Sequence, residues 1–140
     1  MPTWLLLALD GFFFVFHTVI VLFNTFGWMF RRLRRWNLLL QGLTFASWGI
    51  LGIKYGFGYC VCTDLHWHVR EALGIHDQAQ SYIQLIVFKL SGWMPPIDLT
   101  TQVTGVVFGA SVLASLVANA RDLKPILAAK RDNANLSSSS

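Results

Sequence analysis

Charge is absent from three long stretches of this chain, and that limits what it can fold into. No charged residue lies between Asp10 and Arg31, between Arg35 and Lys54, or between Asp98 and Arg121. Each gap is close to the ~20 apolar residues that cross a bilayer as a helix. A soluble bundle needs a polar face on every helix, and these segments lack one. Over the whole chain of 140 residues, hydrophobic residues make up 54% and charged residues 13%, about half the usual charged share of a soluble domain. The expected fold class is an all-α, polytopic membrane helix bundle. It forms a single membrane-embedded domain over 1–122, followed by a basic, partly disordered tail over 123–140.

The first helix is expected over Trp4 to Phe30. The N-terminal MPTWLLLALD has no basic n-region or small-residue cleavage site, so this stretch is expected to stay as a helix rather than be removed as a signal peptide. Thr3, Asp10, His17 and Asn24 recur every seven residues and so form one polar seam. Polar groups at membrane depth face protein or a wet cavity, so the seam reads as interhelical hydrogen bonding, with a ligand site as the alternative. Arg31 to Arg35, RRLRR, closes the helix as a cytoplasmic marker, which puts the N-terminus outside. The net charge of +4 comes from such clusters. No basic and aromatic residues interleave as on a base-stacking platform, so nucleic acid is not an expected partner.

A second helix is expected over Trp36 to Tyr59, with Asn37, Gln41 and Thr44 on one face and a ridge of Gly42, Ala46, Gly49 and Gly56 for close helix approach. Thr63 to Leu73 reads as an amphipathic helix on the outer surface. Thr63 or Asp64 caps it, Gly74 ends it, Leu65, Val69 and Leu73 form its apolar stripe, Asp64 pairs with His68, and Trp67 sits at the interface. Gln80 to Met94 reads as an interfacial or re-entrant segment, stopped by Pro95-Pro96. The last membrane helix is expected over Leu99 to Ala120. Its Gly105 and Gly109 form a GxxxG pair, read as packing within the chain, with dimerisation as the alternative. The tail carries Arg121, Lys124, Lys130 and Arg131 and prefers the cytoplasm. The expectation is therefore three spans plus the surface and re-entrant segments, with four spans as the alternative.

The stretch GYCVCTDLHWHVREALG, Gly58 to Gly74, concentrates the chemistry. Cys60, Cys62, His66 and His68 supply the atoms of a zinc site. However, only three residues separate Cys62 from His66, and on a helix His66 and His68 point about 200° apart. Cys60 and Cys62 offer thiol exchange, without the βαβ pattern that accompanies thioredoxin-like motifs. A haem would use His17, alone or with a surface histidine. No nucleophile elbow, phosphate loop, HExxH or paired carboxylate is present, so no catalytic residue is assigned and an enzyme is not expected.

His17, the basic loop, Ser47-Trp48, Gly58-Tyr59-Cys60, Thr63-Asp64, His66-Trp67, Val69 and Leu73-Gly74 together resemble a family of small bacterial inner-membrane proteins known as a domain of unknown function. The resemblance runs from about Leu5 to Asn119. Members read Cys-Pro-Leu-Thr where this chain reads Cys60-Val61-Cys62-Thr63, so Cys62 departs from the pattern. Members also often carry a histidine in the stretch equivalent to Ser81 to Leu90, which has none here. The resemblance implies location and architecture, with no activity to carry over. The expected role is a non-catalytic accessory or structural subunit whose partners are the lipid bilayer and other membrane-protein subunits. Asp10, His17, Asn24, Trp48, Cys60, Thr63, Asp64, Trp67, Gly105 and Gly109 serve structure and interaction. No cofactor is expected. The alternatives are a redox, haem or metal-binding protein using His17, Cys60 and the surface histidines, and a small transporter or channel component using the Asp10 seam.

Overall fold

The computed structural model describes residues 1–56, 58–76 and 79–138. All the regular structure among them is helical. Helix α1 spans Thr3–Phe26 and tightens into a 3₁₀ turn at Gly27–Met29. Helix α2, Arg34–Ala46, runs through a π-helical turn at Ser47–Leu51 into α3, Gly52–Tyr55. Helix α4 spans Val61–Ala72, α5 Tyr82–Ser91 and α6 Ile97–Ser138. Two helices, Thr3–Met29 and Ile97–Arg131, are long and apolar enough to cross a membrane. The helical run 34–55 rises ~33 Å, while the ten residues of α5 rise only ~15 Å, about half of a ~30 Å hydrocarbon core.

The interior is polar and the exterior apolar. Among the described residues the buried apolar side chains are Leu6, Ala79, Tyr82 and Leu85. The buried polar ones include His17, Asn24, Asn37, Gln41, His66, Arg70, Gln84 and Ser115. Outward-facing side chains include Phe12, Val15, Val19, Leu22, Phe45 and Val106. A water-soluble core is arranged the other way round.

The α1 seam organises the packing. Thr3 is exposed, but Asp10, His17 and Asn24 each face a different partner. Asp10 meets α4, His17 meets α5 and Asn24 meets α2. The ion pair of Arg34 with Asp122 at 2.8 Å brings the arginine loop and the C-terminal part of α6 to the same end of the bundle.

Several expected boundaries shift. Neither Thr63 nor Asp64 caps α4. Cys60 occupies the N-cap position with extended backbone and no capping side chain, so Asp64 lies in the first turn, where its charge suits the helix dipole. Gly74 does end the helix. At φ 71° it allows a Schellman close, in which Ile75 N–H donates to Arg70 O at 2.9 Å and Gly74 N–H to Glu71 O at 2.9 Å. The second helix ends at Tyr55 rather than Tyr59, and Phe57 lies outside the described residues. The last helix continues past Ala120 to Ser138 with Pro125 inside it, and Ser139 and Ser140 lie outside the described residues.

Candidate functional site

Helix α4 packs on α1 through its charged face. Of the apolar stripe, Leu65 is exposed and Val69 and Leu73 are partly buried. His66 and Arg70, four residues apart and so on one face, are buried instead. The reason is Asp10. Its Oδ1 lies 2.8 Å from His66 Nε2 and 3.0 Å from Arg70 Nη1. From α5, Lys89 Nζ comes within 3.8 Å of the other carboxylate oxygen and 4.5 Å of the Phe14 ring centroid. Lys89, which breaks the apolar run of α5, thus reaches the only acidic residue of α1. Arg70 also lies over the Trp67 ring, 5.9 Å from its centroid.

Two histidines that sequence separates into a span and a surface helix come to one place. His66 is fully buried beside the Phe13 and Tyr82 rings, at 5.8 and 6.1 Å. His17 also packs on Tyr82, with ring centroids 4.0 Å apart. The expectation of His66 as a surface histidine is therefore corrected, since it is fully buried against α1 and α5. Tyr82 is fixed by donating its hydroxyl hydrogen to the Phe14 carbonyl, and it forms a small core with Ala79 and Leu85. Burial pushes the His66 imidazole below its ordinary value. The hydrogen bond and charge of Asp10 oppose this, and Arg70 and Lys89 add to it. A neutral His66 must carry its proton on Nε2 to donate to Asp10, which leaves Nδ1 as a buried acceptor. Among the described residues, neither His66 Nδ1 nor His17 Nδ1 has a hydrogen-bond partner.

The other residues of the Gly58 to Gly74 stretch diverge. His68 is exposed, and its Nδ1 contacts the Asp64 carbonyl oxygen at 2.8 Å rather than the carboxylate, which is 3.8 Å away. His66 and His68 thus face opposite sides. Cys60 and Cys62 are free thiols, and burial, then Cys60, pushes the Cys62 thiol up, away from the reactive thiolate. Ser47 Oγ donates to the Tyr59 carbonyl at 3.3 Å, which ties the π-helical turn to the entry of α4. Trp48, in the same turn, packs on Phe108 of α6 with ring centroids 5.0 Å apart.

A second polar layer sits at the other end of the seam, where α1 runs out of intrahelical donors. Asn37 Nδ2 donates to Phe23 O at 2.7 Å, and Gln41 Nε2 donates to Asn24 O at 2.9 Å. Asn24 Nδ2 donates to Thr44 Oγ1 at 3.0 Å. Ser115 Oγ of α6 donates to Asn37 Oδ1 at 2.9 Å, joining three helices at one buried amide. The close approach is made at Gly27. A Cβ there would stand 2.9 Å from Asn37 Nδ2. Gly42, Gly49, Gly105 and Gly109 would meet nothing within 4 Å. The expected intrachain packing on the GxxxG pair is thus not what the chain makes, because α6 turns Ser111 and Ser115 inward instead.

Sequence reasoning found the seam and the polar face of α2. It missed Gly27, Arg70, Tyr82, Lys89 and Asp122. A signal existed for some. His66 and Arg70 share helical spacing, and Ser81-x-x-Gln84 is a capping box, which the structure forms at α5. Gln84 then reaches the Pro95 carbonyl at 2.8 Å and fixes the exit from α5.

No curated protein and no solved structure matches the chain. A family model described as "Protein of Unknown function (DUF2784)" matches residues 7–120, a stretch that contains Asp10, His17, His66, Arg70, Tyr82 and Lys89. The chain therefore belongs to the DUF2784 family.

Proposed function

We propose that this chain is an integral protein of the bacterial inner membrane and acts as a non-catalytic subunit of a larger membrane assembly. The observation that carries this reading is the inverted distribution of polarity. Hydrogen-bonding and charged groups are buried and largely paired with one another, and large apolar side chains face outward. In lipid, apolar exposure costs nothing and unpaired polar groups are expensive. The chain crosses three times, through Thr3–Met29, the run 34–55 and Ile97–Arg131. Helices α4 and α5 lie at the outer end, clasped by Asp10. The N-terminus is outside. The four arginines of the loop favour the cytoplasm, and Arg34–Asp122 joins them to the C-terminal half of α6 on that side. Partner helices pack on the apolar exterior, where Gly105 and Gly109 offer an open, closely approachable face.

The test is extraction in a mild detergent, followed by native mass measurement and identification of co-purifying chains. A larger assembly of fixed stoichiometry is the expected result. A lone monomer or homodimer would overturn the subunit reading.

A second reading, a haem- or other cofactor-binding protein, is favoured by one observation. His17 and His66 flank Tyr82 with buried, unpartnered ring nitrogens. Against it, the Tyr82 ring packs directly on His17, with centroids 4.0 Å apart. A visible absorption band that disappears in His17→Ala and His66→Ala variants would establish it.

A further inference from the structure

At the end of the bundle remote from Asp10, a groove of about 960 Å³ runs between α2 and α6. Its rim carries Arg31, Arg32, Arg34 and Arg35. Asp122 is the one acidic side chain lining it, and it is engaged by Arg34 at 2.8 Å and approached by Arg31 at 3.4 Å. Among the described residues Arg32 and Arg35 have no ion-pair partner, and both are exposed. No side chain caps the first turn of α2, so the helix N-terminus adds positive potential at the same rim. Below the rim the walls are apolar. Leu39, Leu43, Leu123 and Ile126 line the groove and are all about half exposed.

We propose that this groove binds an anionic phospholipid. The inference rests on the membrane reading above. Arg32 and Arg35 hold the phosphate, since guanidinium groups match phosphate oxygens in bidentate geometry. An acyl chain lies along Leu39, Leu43 and Ile126. Charge complementarity selects an anion, and the apolar wall directly beneath the arginines selects a lipid over a free ion. Basic pockets between helices near a cytoplasmic surface favour anionic headgroups for this reason. Arg34 is not part of the selection, because its guanidinium is committed to Asp122 and to the Trp28 carbonyl at 2.9 Å.

The test uses the full chain purified in detergent, with phosphatidylglycerol and phosphatidylcholine of identical acyl chains, read by native mass spectrometry. Phosphatidylglycerol should be retained in preference to phosphatidylcholine. The R32Q/R35Q variant should lose roughly 30-fold in phosphatidylglycerol affinity and keep its weak phosphatidylcholine binding. Both arginines are exposed and outside the buried networks, so the variant should keep wild-type helicity. Equal retention of the two lipids by the wild-type chain would overturn the proposal without recourse to any variant. So would unchanged binding in R32Q/R35Q, or full displacement by inorganic phosphate, which would make the groove a free-anion site. A chain that stays dispersed without detergent would instead sink the membrane reading, and the two failures are thereby distinguished.

Discussion

Asp10 Oδ1 sits 2.8 Å from His66 Nε2, so one carboxylate of the first helix anchors a helix that begins only at Val61. The same oxygen takes Arg70 at 3.0 Å. Arg70 is nearly fully buried. Removing Asp10 takes one carboxylate away from a buried cation and the acceptor away from His66 Nε2, a loss of charge-assisted hydrogen bonding that costs roughly 1.5–3 kcal/mol.

The first prediction is that Asp10→Asn strongly destabilises the docking of α4. Thermal unfolding in detergent and protease sensitivity at the loops flanking α4 measure it. Adding Arg70→Met to Asp10→Asn should recover part of the loss, because the buried cation is then gone and the asparagine oxygen still accepts from His66. A double variant no better than Asp10→Asn would mean that the clasp works some other way.

Gly27 and Gly105 make a contrasting pair. A Cβ at position 27 would stand 2.9 Å from Asn37 Nδ2 and 3.1 Å from its Cβ. The Asn37 amide cannot yield, because it is held by Phe23 O on one side and Ser115 on the other. Gly27→Ala should cost about 1–3 kcal/mol, the usual penalty for overpacking. Gly105→Ala meets open space and should leave the stability of the isolated chain unchanged within about 0.5 kcal/mol. Melting temperatures of the two variants side by side test this. Equal losses would refute the assignment of Gly27 as the point of closest approach.

These contrasts show what was legible in the sequence. The seam at Asp10, His17 and Asn24 could be read because helical periodicity acts within one segment. The polar face of Asn37, Gln41 and Thr44 could be read for the same reason. The Gly105–Gly109 motif misled, because a motif on one helix does not say which neighbour it meets. Gly27 had no motif at all. Its importance comes from Asn37 across a turn, a relationship that exists only once α1 and α2 are packed. For α4, hydrophobic periodicity gave an apolar stripe of Leu65, Val69 and Leu73 on a surface helix and did not say that His66 and Arg70 would face α1. The carboxylate on α1 sets the inner face by drawing in His66 and Arg70, while Leu65 stays exposed. Where both faces of a helix meet apolar surroundings, the apolar stripe stops reporting which side is inside.

Ser115 tests the second polar layer. Its hydroxyl donates to Asn37 Oδ1 at 2.9 Å, and both residues are fully buried. Ser115→Ala leaves that carbonyl oxygen buried without a donor and should cost about 1–3 kcal/mol. Ser111, whose hydroxyl only folds back on the Val107 carbonyl of its own helix at 2.8 Å, should tolerate alanine at under about 1 kcal/mol. Denaturation of both variants in the same detergent measures the difference. A larger loss at Ser111 would show that the α2–α6 contact is not centred on Asn37.

Acidification should loosen the clasp through His66. The groups facing it are Asp10 and His17 on α1, Arg70 on its own helix, and Tyr82 and Lys89 on α5. Burial, reinforced by Arg70 and Lys89, holds the docked imidazole below its ordinary value of 6.5. A released α4 exposes a histidine that takes up a proton near 6.5, so between these two values the released state binds more protons and stability rises with pH. The contribution is fully present above about pH 6.5 and is lost as the pH falls toward the docked value. His68 acts with the opposite sign. Its contact with the Asp64 carbonyl raises it, so its contribution is present at low pH and fades as the pH rises. The wild-type chain should therefore melt at lower temperature at pH 5 than at pH 7.5. His66→Gln, which keeps a donor for Asp10, should show a shallower fall in melting temperature across that window than the wild-type chain. If His66→Gln kept the full acid sensitivity while His17→Gln abolished it, the titrating group would be His17, and the lone pair of His66 Nδ1 would play no part in the pH response.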